Sequence, residues 1–74
     1  MNGQNVKPHE RLLKFFEFGH LPPKLQAVSE PVCHLAREMA AKLPEGPELT
    51  TGLRKLLEAK DCFVRAALEK ENGG

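Results

Sequence analysis

The sequence predicts an all-α fold: an antiparallel helical hairpin with a short N-terminal helix or arm, assembling as a homo-oligomer. Three observations carry that expectation. The 74 residues include four Phe but no Tyr, Trp or Ile, and nowhere do apolar and polar residues alternate as in a strand. Apolar residues instead recur every three or four positions along two long segments, the spacing of an amphipathic helix. Between these segments Leu43-Pro44-Glu45-Gly46-Pro47 sets two prolines and a glycine within four positions, which stops a helix and favours a tight turn.

In the first long segment the stripe runs Leu25, Val28, Val32, Leu35, Met39 and Leu43. Pro22-Pro23 signals its start, because proline suits the first helical turn, where its missing N–H has no partner to lose. Pro31 falls inside this segment and removes one backbone hydrogen bond, so the helix either kinks there or begins at Ser29 as an N-cap. In the second segment Leu49, Leu53, Leu56, Lys60, Phe63 and Ala67 trace a seam flanked by Leu57, Val64 and Leu68. That stripe is too wide for one partner helix, so part of it faces the N-terminal segment or another protomer. Upstream, Leu12-Leu13-Lys14-Phe15-Phe16-Glu17-Phe18 is a sticky stretch that periodicity leaves open between short helix and extended arm. Residues 1–74 read as one domain with frayed ends, about 1–7 and 72–74.

A chain this short buries only about 60% of the surface exposed by its unfolded form, so self-association is expected on size alone. With 11 Lys and Arg against 10 Asp and Glu, the net charge is +1, which provides no broad basic face for a long nucleic acid. No apolar run reaches the roughly 20 residues that span a bilayer, and the polar start lacks a signal-peptide core. Cys33 and Cys62, far apart in sequence, form neither a disulfide framework nor a zinc finger and fit a reducing compartment.

Catalytic machinery is not expected. His9, His20 and His34 lack metal-ligand spacing with each other or with the cysteines, so no metal or cofactor is predicted; the thiols read as small packing groups. Gly46 and Gly52 fit no phosphate-cradling loop. The loop Phe18-Gly19-His20-Leu21-Pro22-Pro23 instead sets an aromatic face and an imidazole beside a rigid diproline, a group that stacks on a flat base, unless Phe18 joins Phe15 and Phe16 in the core. On the second helix Arg54, Glu58, Asp61 and Arg65 are spaced to form Arg54–Glu58 and Asp61–Arg65 pairs. Lys60 interrupts the apolar seam, where an ammonium needs to snorkel or meet an anion. Arg65 has the planar fork that suits phosphate, and Thr50 and Thr51 read as residues capping the second helix or binding an anion at its start.

The run Lys14 to Pro23, then Leu53-Arg54-Lys55-Leu56-Leu57-Glu58-Ala59-Lys60-Asp61 and Val64-Arg65-Ala66-Ala67, resembles the helical-hairpin family of bacteriophage immune-evasion sponges. These are the anti-CBASS proteins, with a related hairpin in anti-Thoeris proteins. The shared elements are an aromatic, Tyr, His and Pro loop, a Leu-Ala pair in the first helix and a proline turn. Here they stand as Phe16-Glu17-Phe18-Gly19-His20-Leu21-Pro22, Leu35-Ala36 and Pro44 to Pro47. The resemblance implies a homo-hexamer in the host bacterial cytoplasm that sequesters cyclic di- or trinucleotides, or cyclic ADP-ribose isomers, between protomers without cleaving them. It implies that Phe18 takes the place of a base-stacking tyrosine, keeping the stack without the hydroxyl, and that His20 and Pro22 shape the loop. Ser29 falls near where the family can carry a phosphate-facing basic residue, which implies either that Lys24, Lys60 or Arg65 neutralises the phosphates or that this member prefers a different ligand. The competing reading is a non-enzymatic interaction module docking a partner through its apolar helical surface.

Overall fold

The computed structural model describes residues 7–71, which form three helices: α1 Pro8–Lys14, α2 Pro23–Lys42 and α3 Pro47–Glu71. No strand occurs among the described residues. The ends expected to fray lie outside this range apart from Lys7, which is ordered as the N-cap of α1.

The sticky upstream stretch is part helix and part turn. Pro8 opens α1, and the Glu10 carboxylate accepts a hydrogen bond from the Lys7 backbone N–H at 3.2 Å, tying the capping residue to the first turn. Beyond Lys14 the chain tightens: the N–H groups of Phe15, Phe16 and Glu17 donate to the carbonyls of Leu12, Leu13 and Lys14 at 3.0, 3.1 and 3.3 Å. This turn separates the neighbouring phenylalanines. Phe16 is completely buried, whereas Phe15 is 63% exposed.

α2 runs through Pro31 as one helix of 20 residues, starting at Pro23 and not at Ser29. Pro31 lacks the N–H that the Ala27 carbonyl would accept, and exposed Ala27 leaves that carbonyl to water. Ser29 is buried mid-helix, and its hydroxyl has no hydrogen-bond partner among the described residues. The core-facing side of α2 is also rotated from the expected leucine stripe. Leu25, Ser29, Cys33 and Ala36 are buried, while Leu35 and Leu43, placed in the stripe, are 44% and 46% exposed. Small side chains at 29, 33 and 36 let the backbone approach its neighbours closely, which the larger leucines would prevent.

The turn into α3 depends on Gly46. Its φ of 154° lies where an L side chain is strained, and its carbonyl accepts the Thr50 N–H at 3.0 Å to begin α3. Pro47 follows as the first helical residue, so Thr50 and Thr51 stand beyond the capping position expected for them.

Phe16, Cys33, Ala36, Leu49 and Leu53 form the core, flanked by Leu12, Leu13, Phe18, Val32, Ala40, Leu56 and Leu57. The N-terminal segment therefore completes the core at the turn end of the hairpin, which accounts for much of α3's excess apolar width. Farther along α3, Phe63 and Leu68 stay exposed at 52% and 41%. Lys7 ties α1 to the hairpin turn, its Nζ lying 2.8 Å from Glu45 Oε2.

Phe16→Ala is expected to cost about 3–5 kcal/mol in urea unfolding, whereas Phe15→Ala changes stability by under about 0.5 kcal/mol. Equal effects at the two positions would contradict the burial. The Lys7–Glu45 pair carries its own pH signature: hydrogen bonding and attraction to Glu45 raise the Lys7 pKa above 10.5, and Lys7 lowers that of Glu45 below 4.5. Its contribution is then full between those two values; it is lost as pH falls through the lowered Glu45 pKa or rises through the raised Lys7 pKa. Hydrogen exchange in α1 of the Glu45→Gln variant should lack the acid-side loss seen in the parent.

Candidate functional site

The aromatic loop is anchored from α2. Gln26 Nε2 donates to the Leu21 carbonyl at 2.6 Å and to that of Gly19 at 3.4 Å, and the Leu21 N–H donates to the Phe18 carbonyl at 3.0 Å. These bonds satisfy loop carbonyls that the diproline, with no N–H of its own, cannot serve, and they fix the loop against the first turn of α2.

So held, Phe18 is half-buried against the core and also lines a cleft of about 550 Å³. The core contact weighed for Phe18 is therefore present. The cleft is lined by Glu17, Phe18, Gly19, His20, Cys33, His34 and Arg37. The His34 ring stands edge-on to Phe18, with centroids 6.2 Å apart and planes at 79°, a favourable arrangement for two aromatic rings. Glu30 Oε2 lies 3.9 Å from His34 Nε2 on the outer side. Arg37 Nε donates to the buried Cys33 sulfur at 3.4 Å, which restrains the base of the guanidinium fork at the cleft wall. One aromatic face, two imidazoles and a guanidinium thus share one opening. An aromatic ring and a guanidinium are groups able to stack on a base and to donate to phosphate oxygens, and the Glu17 carboxylate shares the same lining.

The expected site residues divide among three places. Phe18 and His20 line the cleft just described. Pro22 and Lys24 line a separate depression with Pro23, Leu25 and Leu68. Lys60 and Arg65 lie farther along α3 and border neither. Lys60 resolves its conflict with the apolar seam by burying its stem, the side chain being 13% exposed, and placing Nζ 2.9 Å from Asp61 Oδ1. Asp61 therefore pairs with Lys60 and not with Arg65, whose Nη2 donates to the exposed Cys62 sulfur at 3.3 Å. Among the described residues the expected Arg54–Glu58 pair does not form.

Arg37 was not predicted as a site residue, and His34 was weighed only as a metal ligand. Their spacing of three on the polar side of α2 is the sole sequence signal; only the fold shows that the Phe18 loop lies opposite them. Among the described residues no three of His, Cys, Asp and Glu converge to hold a metal ion, and no helix is long and apolar enough to cross a membrane. Compared with known proteins, the chain matches no family model, no curated protein and no solved structure.

The two thiols differ sharply in access. In the native protein a thiol reagent such as DTNB is expected to label Cys62 at once and Cys33 only on unfolding, so Cys62→Ser abolishes the fast phase. A fast phase persisting in that variant would show that Cys33 is open to solvent.

Proposed function

We propose that the protein binds and sequesters a cyclic oligonucleotide messenger, a cyclic di- or trinucleotide or a cyclic ADP-ribose isomer, without cleaving it. By lowering the free messenger in the host bacterial cytoplasm it blocks anti-phage signalling. The observation that carries this reading is the cleft in which the Phe18 ring and the Arg37 guanidinium face one opening. Resemblance of the same loop to the anti-CBASS and anti-Thoeris hairpins supports it independently. Phe18 stacks on a base, His20 and Pro22 set the loop, and Arg37 supplies phosphate-facing charge that the sequence pattern sought at Lys24, Lys60 or Arg65.

Magnitudes favour an assembly over a lone protomer. Nanomolar binding requires about 12 kcal/mol, whereas a stacked base contributes about 1–3 kcal/mol. One open cleft with a single aromatic ring falls short, and closure by a second copy, within a homo-hexamer, supplies further contacts. Lys24 and Arg65, on other faces of the protomer, then reach the ligand from a neighbouring copy.

The interaction-module reading is favoured by a different feature. Leu35, Met39, Leu43, Leu49, Leu53 and Leu56 line an apolar groove of about 330 Å³ between α2 and α3, a form suited to a helix from a partner. The same groove serves protomer association under the sponge reading.

A thermal-shift titration with cyclic dinucleotides, cyclic trinucleotides and cyclic ADP-ribose isomers separates the two. At one hundred times Kd, a ligand specific for the folded state adds about 2.7 kcal/mol, or about 10–20 °C for a domain of this size. The expected result is such a shift for at least one ligand, recovered intact after denaturation, and its loss in Phe18→Ala and Arg37→Ala with oligomer mass unchanged. No shift with any of the ligands would overturn the sponge reading and leave the interaction module.

A further inference from the structure

A second concentration of positive charge lies away from the Phe18 cleft, where α1 meets the start of α3. Arg11 from α1 and Arg54 from α3 line one cleft of about 410 Å³ together with Pro8 and Leu12, and no carboxylate contributes to its wall. Neither guanidinium has an ion-pair partner among the described residues. A cleft of about 520 Å³ shares Pro8 and Arg54 with it and adds His9, Thr50 and Thr51. Its one carboxylate, Glu45, is already bound by Lys7 Nζ at 2.8 Å. Lys7, Arg11 and Arg54 against Glu10 and Glu45 leave one uncompensated positive charge around the joined clefts, and the carboxylates lie on the Lys7 side.

Two guanidiniums bordering one opening repel each other unless an anion lies between them. On a chain of net charge +1, that placement is not a by-product of an overall basic surface. Arginine fits the tetrahedral oxygens of phosphate through its planar fork, and it is less strongly hydrated than an ammonium. The Thr50 and Thr51 hydroxyls, on the same side of α3 as Arg54 at spacings of four and three, add neutral donors for further oxygens. A phosphate group offers oxygens to both guanidinium forks at once, which a single-atom anion such as chloride does not.

We propose that the α1–α3 junction is a second anion site, which takes a phosphate monoester or diphosphate group between Arg11 and Arg54. The bound group bridges α1 to the hairpin, reinforcing the Lys7–Glu45 link. A helix of seven residues has little stability of its own, so such a bridge orders the N-terminal segment that carries Phe16. This site uses none of the residues of the Phe18 cleft and stands whether or not that cleft binds a messenger.

The test uses the full chain with sodium pyrophosphate and adenosine 5′-monophosphate as probes, against sodium chloride at matched ionic strength. The expected result is a saturable rise in melting temperature with at least one probe, accompanied by amide chemical-shift changes at Thr50 and Thr51. Arg11→Gln and Arg54→Gln should each weaken binding at least about tenfold, and Arg54→Lys, which keeps the charge but loses the fork, should weaken it several-fold. Phe18→Ala and Arg37→Ala should leave it unchanged. Tighter binding of pyrophosphate identifies a diphosphate group as the preferred ligand, and tighter binding of the monophosphate identifies a phosphate monoester. A response matched by chloride, no saturation, or unchanged affinity in folded Arg11→Gln and Arg54→Gln proteins would overturn the proposal.

Discussion

Burial of Phe16 between the two hairpin helices is the contact on which the rest of the arrangement rests. It shares one buried cluster with Cys33 and Ala36 from α2 and Leu49 and Leu53 from α3, so a single side chain just beyond α1 ties the N-terminal segment to both hairpin helices. The segment is held from both ends: Phe16 fills the core, and Lys7 reaches the hairpin turn at Glu45. Between these attachments α1 has little freedom to leave. Beyond Phe16 the backbone has only a short path to Pro22, which brings Phe18 against α2 beside His34. The geometry of the Phe18 cleft is thus a consequence of where Phe16 is buried.

Much of the backbone was legible before any coordinates. The hairpin, its proline turn and the helix start after Pro22 follow from local rules with short reach, namely helical periodicity and the missing proline N–H. What escaped was the phase of α2. Leucines at 35 and 43 outweigh serine, cysteine and alanine on any apolarity scale, yet the small residues face the core because they permit close helix approach. Periodicity measures where apolar residues fall; it does not distinguish a face buried within the protomer from one left open on its surface. Of the two readings that Pro31 allowed, the start at Ser29 does not occur: α2 continues through it from Pro23, with Ala27, whose carbonyl loses its donor, exposed.

The candidate site was legible in part. Phe18 and His20 belong to a continuous loop, so their proximity was readable, whereas Arg37 joins them through tertiary packing across a separation of 19 residues. Lys60 shows what spacing leaves open. An ammonium in an apolar seam needs to snorkel or meet an anion, and the anion it meets is Asp61 at the adjacent position. The i,i+4 rule assigned Asp61 to Arg65 without regard to a nearer ammonium, and Arg65 turned to the Cys62 sulfur instead.

The charged and apolar features left over differ in what they require. An exposed leucine needs no explanation alone, but Leu35 and Leu43 line one groove with Met39 and Leu56 over the buried Leu49 and Leu53, so their exposure is contiguous. Such a groove gains free energy from any apolar surface of matching shape, and its specificity has to come from elsewhere. The Phe18 cleft has the reverse character, with directional donors and a single stacking face but little enclosure. Under the proposed function these two needs are complementary: association through the groove is driven by apolar burial, and the same association brings a second protomer's polar groups over the cleft. Ligand affinity and assembly then share one free-energy cycle, in which whatever strengthens the protomer contact also strengthens messenger binding.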